Sequence, residues 1–240
     1  MNIKNIFWDV DGVLANLNFA YFNFLTNHPN YREMFKDLKW ANLPVALPVS
    51  PKYGALELKS HPTLGDQMDK DFCGDSAFFN NRPLYPDAIP SLRALHNLGY
   101  RQITASATFD VPTKTALITN LFADAPFLEI ECVKHGTFMS DTAKEDLLKH
   151  CCKKYNLDSC ESVLVDDRIY NLPAALNIGM RAVRMRSEFT TDATAEYAHL
   201  PEVRSNYEFV GWLIANNGKE GINETRHNNS DQNGVSTPCE

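Results

Sequence analysis

From Tyr85 onward the chain keeps one rhythm, in which a helix-length amphipathic stretch is followed by a short apolar run. "YPDAIPSLRALHNLGY" sets Ile89, Leu92, Leu95 and Leu98 along one side of a helix, and Gly99 supplies its stop. "RQITASAT" reads as a strand that ends in small hydroxyl residues. "VPTKTALITNLFA" is the next helix, with Asp110 as N-cap and Pro112 in its first turn. "FLEIECV" is a strand, and "SDTAKEDLLKHCCKKYNL" a helix opened by a capping box of Thr142 and Glu145. "SVLVDD", "IYNLPAALNIG" and "MRAVRM" repeat strand, helix, strand, and "NYEFVGWLIAN" closes as a short helix. Strands that alternate with helices of about 10 to 15 residues build βαβ units. The expected class is therefore α/β, a parallel sheet with helices on both faces.

One strand of that sheet lies apart from the rest. Residues 3–10 form a short apolar run that leads into Asp9, Asp11 and Gly12. Residues 16–83 then interrupt the pattern and hold 11 of the 26 aromatic residues in the chain. "NLNFAYFNFLTN" and "YREMFKDLKWANL" look helical, and "LPVALPVSPKYG" breaks the pattern with three prolines. The segment reads as a mainly helical inserted subdomain whose aromatic side chains form its own core or, in part, a wall for a flat leaving group. The expected organisation is a core of residues 1–15 and 84–215, an insert of residues 16–83, and a disordered tail or linker over residues 216–240.

Net charge of −7 argues against a general nucleic-acid or anionic-membrane partner. No segment approaches the roughly 18 apolar residues of a membrane span, and the "MNIKNIFWDV" start does not read as a signal peptide. The six cysteines form no CxxC pair and read as scattered reduced thiols, which suits a cytoplasmic location. Nothing in the sequence sets an oligomeric state.

In an open parallel sheet, ligands bind at the carboxyl ends of the strands. Those ends contribute Asp9 and Asp11 from the first strand, Ser106 from "RQITASAT", and Asp166 and Asp167 from "SVLVDD". Lys144 opens the helix after "FLEIECV". Thr104 and Thr108 compete with Ser106 for the hydroxyl position, and Lys134 with Lys144 for the amine. Four acids so close together cannot all stay ionised without a cation. Oxygen ligands of this kind select Mg²⁺, and a lysine and a hydroxyl beside it suit a phosphoryl group. A carboxylate can attack phosphorus to give an aspartyl-phosphate.

"DVDGV" after an apolar strand, then "ITAS", then a helix-initial lysine, then "VLVDDRIYN" resembles the haloacid dehalogenase-like (HAD) superfamily. The resemblance covers roughly residues 3–15 and 84–215, and it implies a Rossmann-like core with a cap inserted after the first strand. It implies that Asp9 is the nucleophile and that Asp11 protonates the leaving group, then activates water. The Asp11 backbone carbonyl would also be a Mg²⁺ ligand, beside Asp9 and Asp167. Ser106, with Ala107, would bind the transferring phosphoryl, and Lys144 would neutralise charge on nucleophile and phosphate. Asp167 matches the acid of the family's GDxxxD motif, Asp166 replaces its glycine, and Asn171 replaces its second acid. Asp166 either binds the metal or braces the loop.

Dehalogenases of the superfamily lack an acid at the position of Asp11, whereas phosphate-ester cleavage needs one. The expected function is thus a Mg²⁺-dependent phosphomonoester phosphatase acting on a small phosphorylated metabolite, such as a sugar phosphate or nucleotide. A phosphotyrosine or other aryl-phosphate phosphatase acting on a phosphoprotein, a phosphomutase, and a non-catalytic phosphate-binding module are the alternatives.

Overall fold

The computed structural model describes residues 2–43, 47, 49–50, 55–56, 58–108, 110–134, 142–186 and 195–227. Its centre is a parallel sheet of β1 (Asn5–Trp8), β4 (Arg101–Thr104), β7 (Ser162–Asp166), β8 (Arg181–Met185) and β9 (Glu202–Val203). The order is β4-β1-β7-β8-β9, and every pairing is parallel. β1, wholly buried, lies inside the sheet between β4 and β7, with apolar side chains on both faces. Ile6 and Trp8 join Leu92, Leu95, Ile118 and Phe209 on one face, while Phe7 joins Leu147, Leu148, Leu172 and Ala175 on the other. Trp8 meets Phe209 edge-on at 5.0 Å, and its indole N–H donates to Gln102 Oε1 at 3.2 Å. Its one polar atom is therefore satisfied inside the core.

The strand read from "RQITASAT" is two strands. β5 (Ser106–Thr108) leaves the main sheet and pairs with β6 (Cys132–Lys134). The break falls at Ala105, whose N–H still bonds to the Trp8 carbonyl at 2.7 Å. Of "FLEIECV", only the end is strand, with Glu129 making a single bridge to Ile103. Asp110 caps its helix as expected, accepting from the Thr113 N–H at 3.2 Å. Glu145 accepts from Lys149 at 2.6 Å and from Asn177 at 3.1 Å, and the Thr142 side chain of the expected capping box lies outside the described residues. These partners hold the carboxylate on the outer helix face.

The insert has its own core. Helices Leu17–Asn27, Gly65–Gly74 and Ser76–Phe79 enclose Tyr21, Phe24, Tyr31, Met68 and Phe72, and a small antiparallel pair links β2 (Val49–Ser50) to β3 (Ala55–Leu56). Phe24 packs edge-on against Phe72 and Phe78, so these aromatics are structural. Most of "LPVALPVSPKYG" lies outside the described residues. Of the expected helix over residues 31–43, residues 31–37 form successive turns and Trp40–Asn42 a single 3-10 turn. One turn suffices to bury Tyr31 and Phe35, and the Tyr31 hydroxyl is tied to Asp71 at 2.7 Å. The insert joins the core through a neck of two strands of chain, with Asn16 N–H on the Pro83 carbonyl at 2.8 Å and Tyr85 N–H on the Leu14 carbonyl at 3.0 Å.

The last helix runs Asn206–His227, past residue 216, where the tail is expected to begin. Asn217 anchors this helix to the core. Its amide donates to the Ile3 carbonyl and the Tyr100 hydroxyl, both at 2.8 Å, and accepts from Ile3 N–H at 3.0 Å. A residue read as tail therefore docks on the start of β1. Residues 228–240 lie outside the described residues. Cys73, Cys132, Cys151 and Cys152 are free, but Cys160 is disulfide-bonded, which departs from the all-thiol reading. Among the described residues, no helix is long and apolar enough to cross a membrane.

Candidate active site

Asp9 follows directly on the buried β1, and its N–H extends the ladder to the Val165 carbonyl at 2.9 Å. Asp9 is 7% exposed, set at the strand end by the apolar residues before it. Lys144 reaches it from helix Thr142–Tyr155, with Nζ 3.0 Å from Asp9 Oδ1 and 2.9 Å from Asp166 Oδ2. The same ammonium donates to the Ala105 carbonyl. Burial pulls Lys144 down, but the facing carboxylates of Asp166 and Asp9 outweigh it and hold the amine charged, above the ordinary lysine range. Asp9 goes the other way. Burial, with help from Asp166 and Asp11, pushes it up to about 6 against the pull of Lys144.

Asp166 and Asp167 are adjacent but do different work. Asp166 is fully buried, and its oxygens accept from Asn171 Nδ2 at 3.0 and 2.9 Å, from Arg168 N–H at 2.9 Å, and from Lys144. Its acceptor positions are thus used in bracing the loop after β7. Asn171, which stands where the family motif has an acid, is a donor in that brace. Asp167 Oδ1, by contrast, is buried with no hydrogen-bond partner among the described residues. Burial raises the Asp167 carboxyl well above the ordinary range, opposed by Arg168 and reinforced by Asp166, Asp9 and Asp11.

Asp9, Asp166 and Asp167 each offer a carboxylate oxygen within 4.8 Å of the others. A buried anion with an orphaned oxygen is costly unless something positive meets it. The donor set is all oxygen, so it fits a hard divalent cation such as Mg²⁺. Asp9 and Asp167 are the members with acceptor capacity to spare. Gly12 makes their approach possible. It sits at φ +81°, and a Cβ there would lie 2.2 Å from Asp167 Oδ2.

Asp11 is not in that cluster. Its carboxylate is gripped by two cations, Arg82 on Oδ1 and Lys114 on Oδ2 at 2.5 Å. Burial would raise its pKa, but Arg82 and Lys114 outweigh it and hold the carboxyl well below the usual range. Neither cation is among the site residues expected from the sequence. Lys114 was legible by the rule that singled out Lys144, since it lies in the first turn of helix Val111–Leu121, after a strand that ends at the site. Arg82 follows "FFNN" in the returning arm of the neck, where only its isolation among uncharged residues marks it.

Ser106 begins β5, one residue beyond the carbonyl held by Lys144, and is 2% exposed. Its hydroxyl makes no hydrogen bond among the described residues. Ala107 follows in β5, opposite Val133. The rival hydroxyls are occupied elsewhere: Thr104 Oγ1 accepts from Glu131 N–H at 3.0 Å, and Thr108 Oγ1 faces the Asp110 backbone. Lys134 is exposed on β6. The structure therefore brings Asp9, Lys144, Asp166 and Asp167 together, with Ser106 at the neighbouring strand end and Asp11 facing its own cations.

The parallel α/β sheet thus gathers three carboxylates around a buried lysine at its strand ends. The model of the haloacid dehalogenase-like hydrolase family matches residues 3–179, and the chain belongs to that family. Among solved structures, the haloacid dehalogenase-like family protein of Streptococcus pneumoniae is 16% identical, with a TM-score of 0.61 over 88% of this chain and 99% of that one. A predicted phosphatase of Clostridium acetobutylicum is 16% identical, with a TM-score of 0.59 over 90% of this chain and 100% of that one. A dehalogenase with an intermediate complex is 14% identical, with a TM-score of 0.58 over 88% of this chain and 97% of that one. These likenesses establish the shared fold. No curated protein sequence matches the chain.

Proposed function

We propose that the protein is a Mg²⁺-dependent phosphomonoester phosphatase that works through a phosphorylated Asp9. The orphaned Asp167 Oδ1 beside the Asp9–Lys144 pair is the observation that carries this reading. Mg²⁺, held by Asp9 and Asp167, would supply charge neutralisation for nucleophile and phosphate. Asp9 attacks phosphorus, a new P–O bond forms to its carboxylate, and the bond from phosphorus to the leaving oxygen breaks. Water then attacks phosphorus, the bond from phosphorus to the Asp9 oxygen breaks, and inorganic phosphate leaves. Lys144 offsets negative charge on Asp9 and on the transferring group. The free Ser106 hydroxyl and the Ala107 backbone bind the oxygens that stay on phosphorus.

Asp11 carries the proton, to the leaving oxygen first and then from the water. The dehalogenases of the family lack this acid, so its presence favours phosphate esters over carbon–halogen bonds. In this structure two cations hold Asp11 as an anion, so proton transfer needs that grip to loosen. Arg82 belongs to the neck of the insert, which couples the grip to insert movement. The insert therefore reads as a cap that closes over a small phosphorylated metabolite.

The test is hydrolysis of p-nitrophenyl phosphate with Mg²⁺ and with a chelator, followed by a panel of sugar phosphates, nucleotides and phosphotyrosine peptides. Metal-dependent turnover with preference for small phosphates is expected. No turnover by the folded, metal-loaded protein defeats the phosphatase reading, and a strong preference for phosphopeptides defeats the metabolite reading.

A further inference from the structure

Arg82 and Lys114 come from different parts of the fold, the insert neck and the helix Val111–Leu121, yet end on the same carboxylate. Their side chains are 1% and 3% exposed. Two buried cations thus face one anion, and among the described residues no second acid pairs with either. The opposite holds a few residues away, where Lys144 alone faces both Asp9 and Asp166. The site is therefore polarised, with its negative excess at the nucleophile and its positive excess at Asp11.

Both cations also keep donors in reserve. Arg82 donates through Nε to the Phe79 carbonyl at 2.8 Å and through Nη1 to Asp11. Lys114 donates once, to Asp11 Oδ2. The guanidinium lies 4.1 Å from the centre of the Phe79 ring, which fixes its plane. Arg82 Nη2 and the remaining Lys114 Nζ protons make no hydrogen bond among the described residues, so they can meet an incoming anion. A fixed guanidinium fork beside a point-charge ammonium accepts carboxylate or phosphate oxygens equally well.

Resting on the phosphatase reading above, we propose that Arg82 and Lys114 form a subsite for a second anionic group, carboxylate or phosphate, on the leaving side of the substrate. The position follows from Asp11. A group that serves the leaving oxygen stands on the leaving side, so the cations bonded to it border the departing alcohol. Lys144 serves the transferring phosphoryl and is not shared. The preferred substrates are then phosphomonoesters of short hydroxy acids or of alcohols that carry a further phosphate.

The test compares kcat/KM, with Mg²⁺, for phosphoglycolate, ethane-1,2-diol bisphosphate and 2-hydroxyethyl phosphate. These share a two-carbon leaving group and differ in its charge. At least one charged ester is expected to exceed the neutral one by tenfold or more, and the better of the two identifies the anion. Arg82→Gln and Lys114→Gln should each shrink that ratio several-fold, while Lys114→Arg retains it. A merely structural clamp predicts that all three esters fall together, with the ratio unchanged, which overturns the subsite. The wild-type ratio decides even if the Gln variants do not fold: equal turnover of charged and neutral esters keeps the phosphatase reading and overturns the subsite. No turnover of any ester, nor of p-nitrophenyl phosphate, removes both.

Discussion

Gly12 and Asp167 are so close that no side chain fits between them, since a Cβ on Gly12 would lie 2.2 Å from Asp167 Oδ2. The glycine stands in the turn after β1, at φ +81°, and the acid stands after β7, so the contact locks two neighbouring strand ends together. Gly12→Ala adds a strained backbone and a clash. The backbone term alone costs roughly 1 to 2 kcal/mol, which for a chain of this size lowers Tm by several degrees. Thermal unfolding should show that fall, and Mg²⁺-dependent turnover should drop by at least about a hundredfold, because Asp167 is displaced. Wild-type turnover by the Gly12→Ala variant would mean that Asp167 does not bind metal where it now sits.

Lys144 is the counter-charge for two buried carboxylates at once. Lys144→Met leaves Asp9 and Asp166 facing each other without it. Removing one partner of a buried ion pair costs about 3 to 5 kcal/mol. Chemical denaturation of the metal-free protein should show a loss of that size, and saturating Mg²⁺ should restore part of it. Unchanged stability would mean that Lys144 is not the counter-charge of these two carboxylates.

Stability and metal binding should depend on pH with a definite sign. Asp9 is raised from 3.8 to about 6 by burial, and Asp167 is raised as well. From about pH 4 to pH 6 the folded metal-free protein therefore holds a proton on Asp9 that the unfolded chain has released. The folded state binds more protons there, so this group's contribution to stability falls as pH rises through that window. Metal must displace those protons. Mg²⁺ at a hundred times its Kd stabilises by about 2.7 kcal/mol, and the shift in Tm should be larger near pH 7.5 than near pH 5. A shift that is larger at the lower pH contradicts carboxylate ligation by these groups.

Much of the core was legible because its signals are local. The run "IFW" places apolar side chains on both faces and so marks an interior strand, and Ile89, Leu92 and Leu95 at period three mark helix Ala88–Asn97. The strand-end acids and Lys144 followed from chain order, since a parallel sheet brings successive strand ends to one edge. What was not legible depends on pairing between distant residues. Arg82 meets Asp11 across 71 positions, and Lys114 meets it across 103. Asn217 looked like tail composition until its partners, Ile3 and Tyr100, were in place. Residues 31–43 carry a helical pattern, but the bond from Tyr31 to Asp71 and the packing around Phe24 take precedence over propensity. The division of labour between Asp166 and Asp167 rests on which lone pairs Asn171 and the Arg168 N–H occupy, which spacing alone does not convey.

The central claim is that Asp9 itself becomes phosphorylated. Acid quenching of the Mg²⁺-loaded protein during turnover of a labelled phosphomonoester, followed by peptide mapping, tests it directly. The expected result is label on the peptide that carries Asp9, absent in Asp9→Asn, whose turnover falls by about a thousandfold or more while its fold is retained. Steady turnover by Asp9→Asn, or label that maps to another residue, would contradict the mechanism.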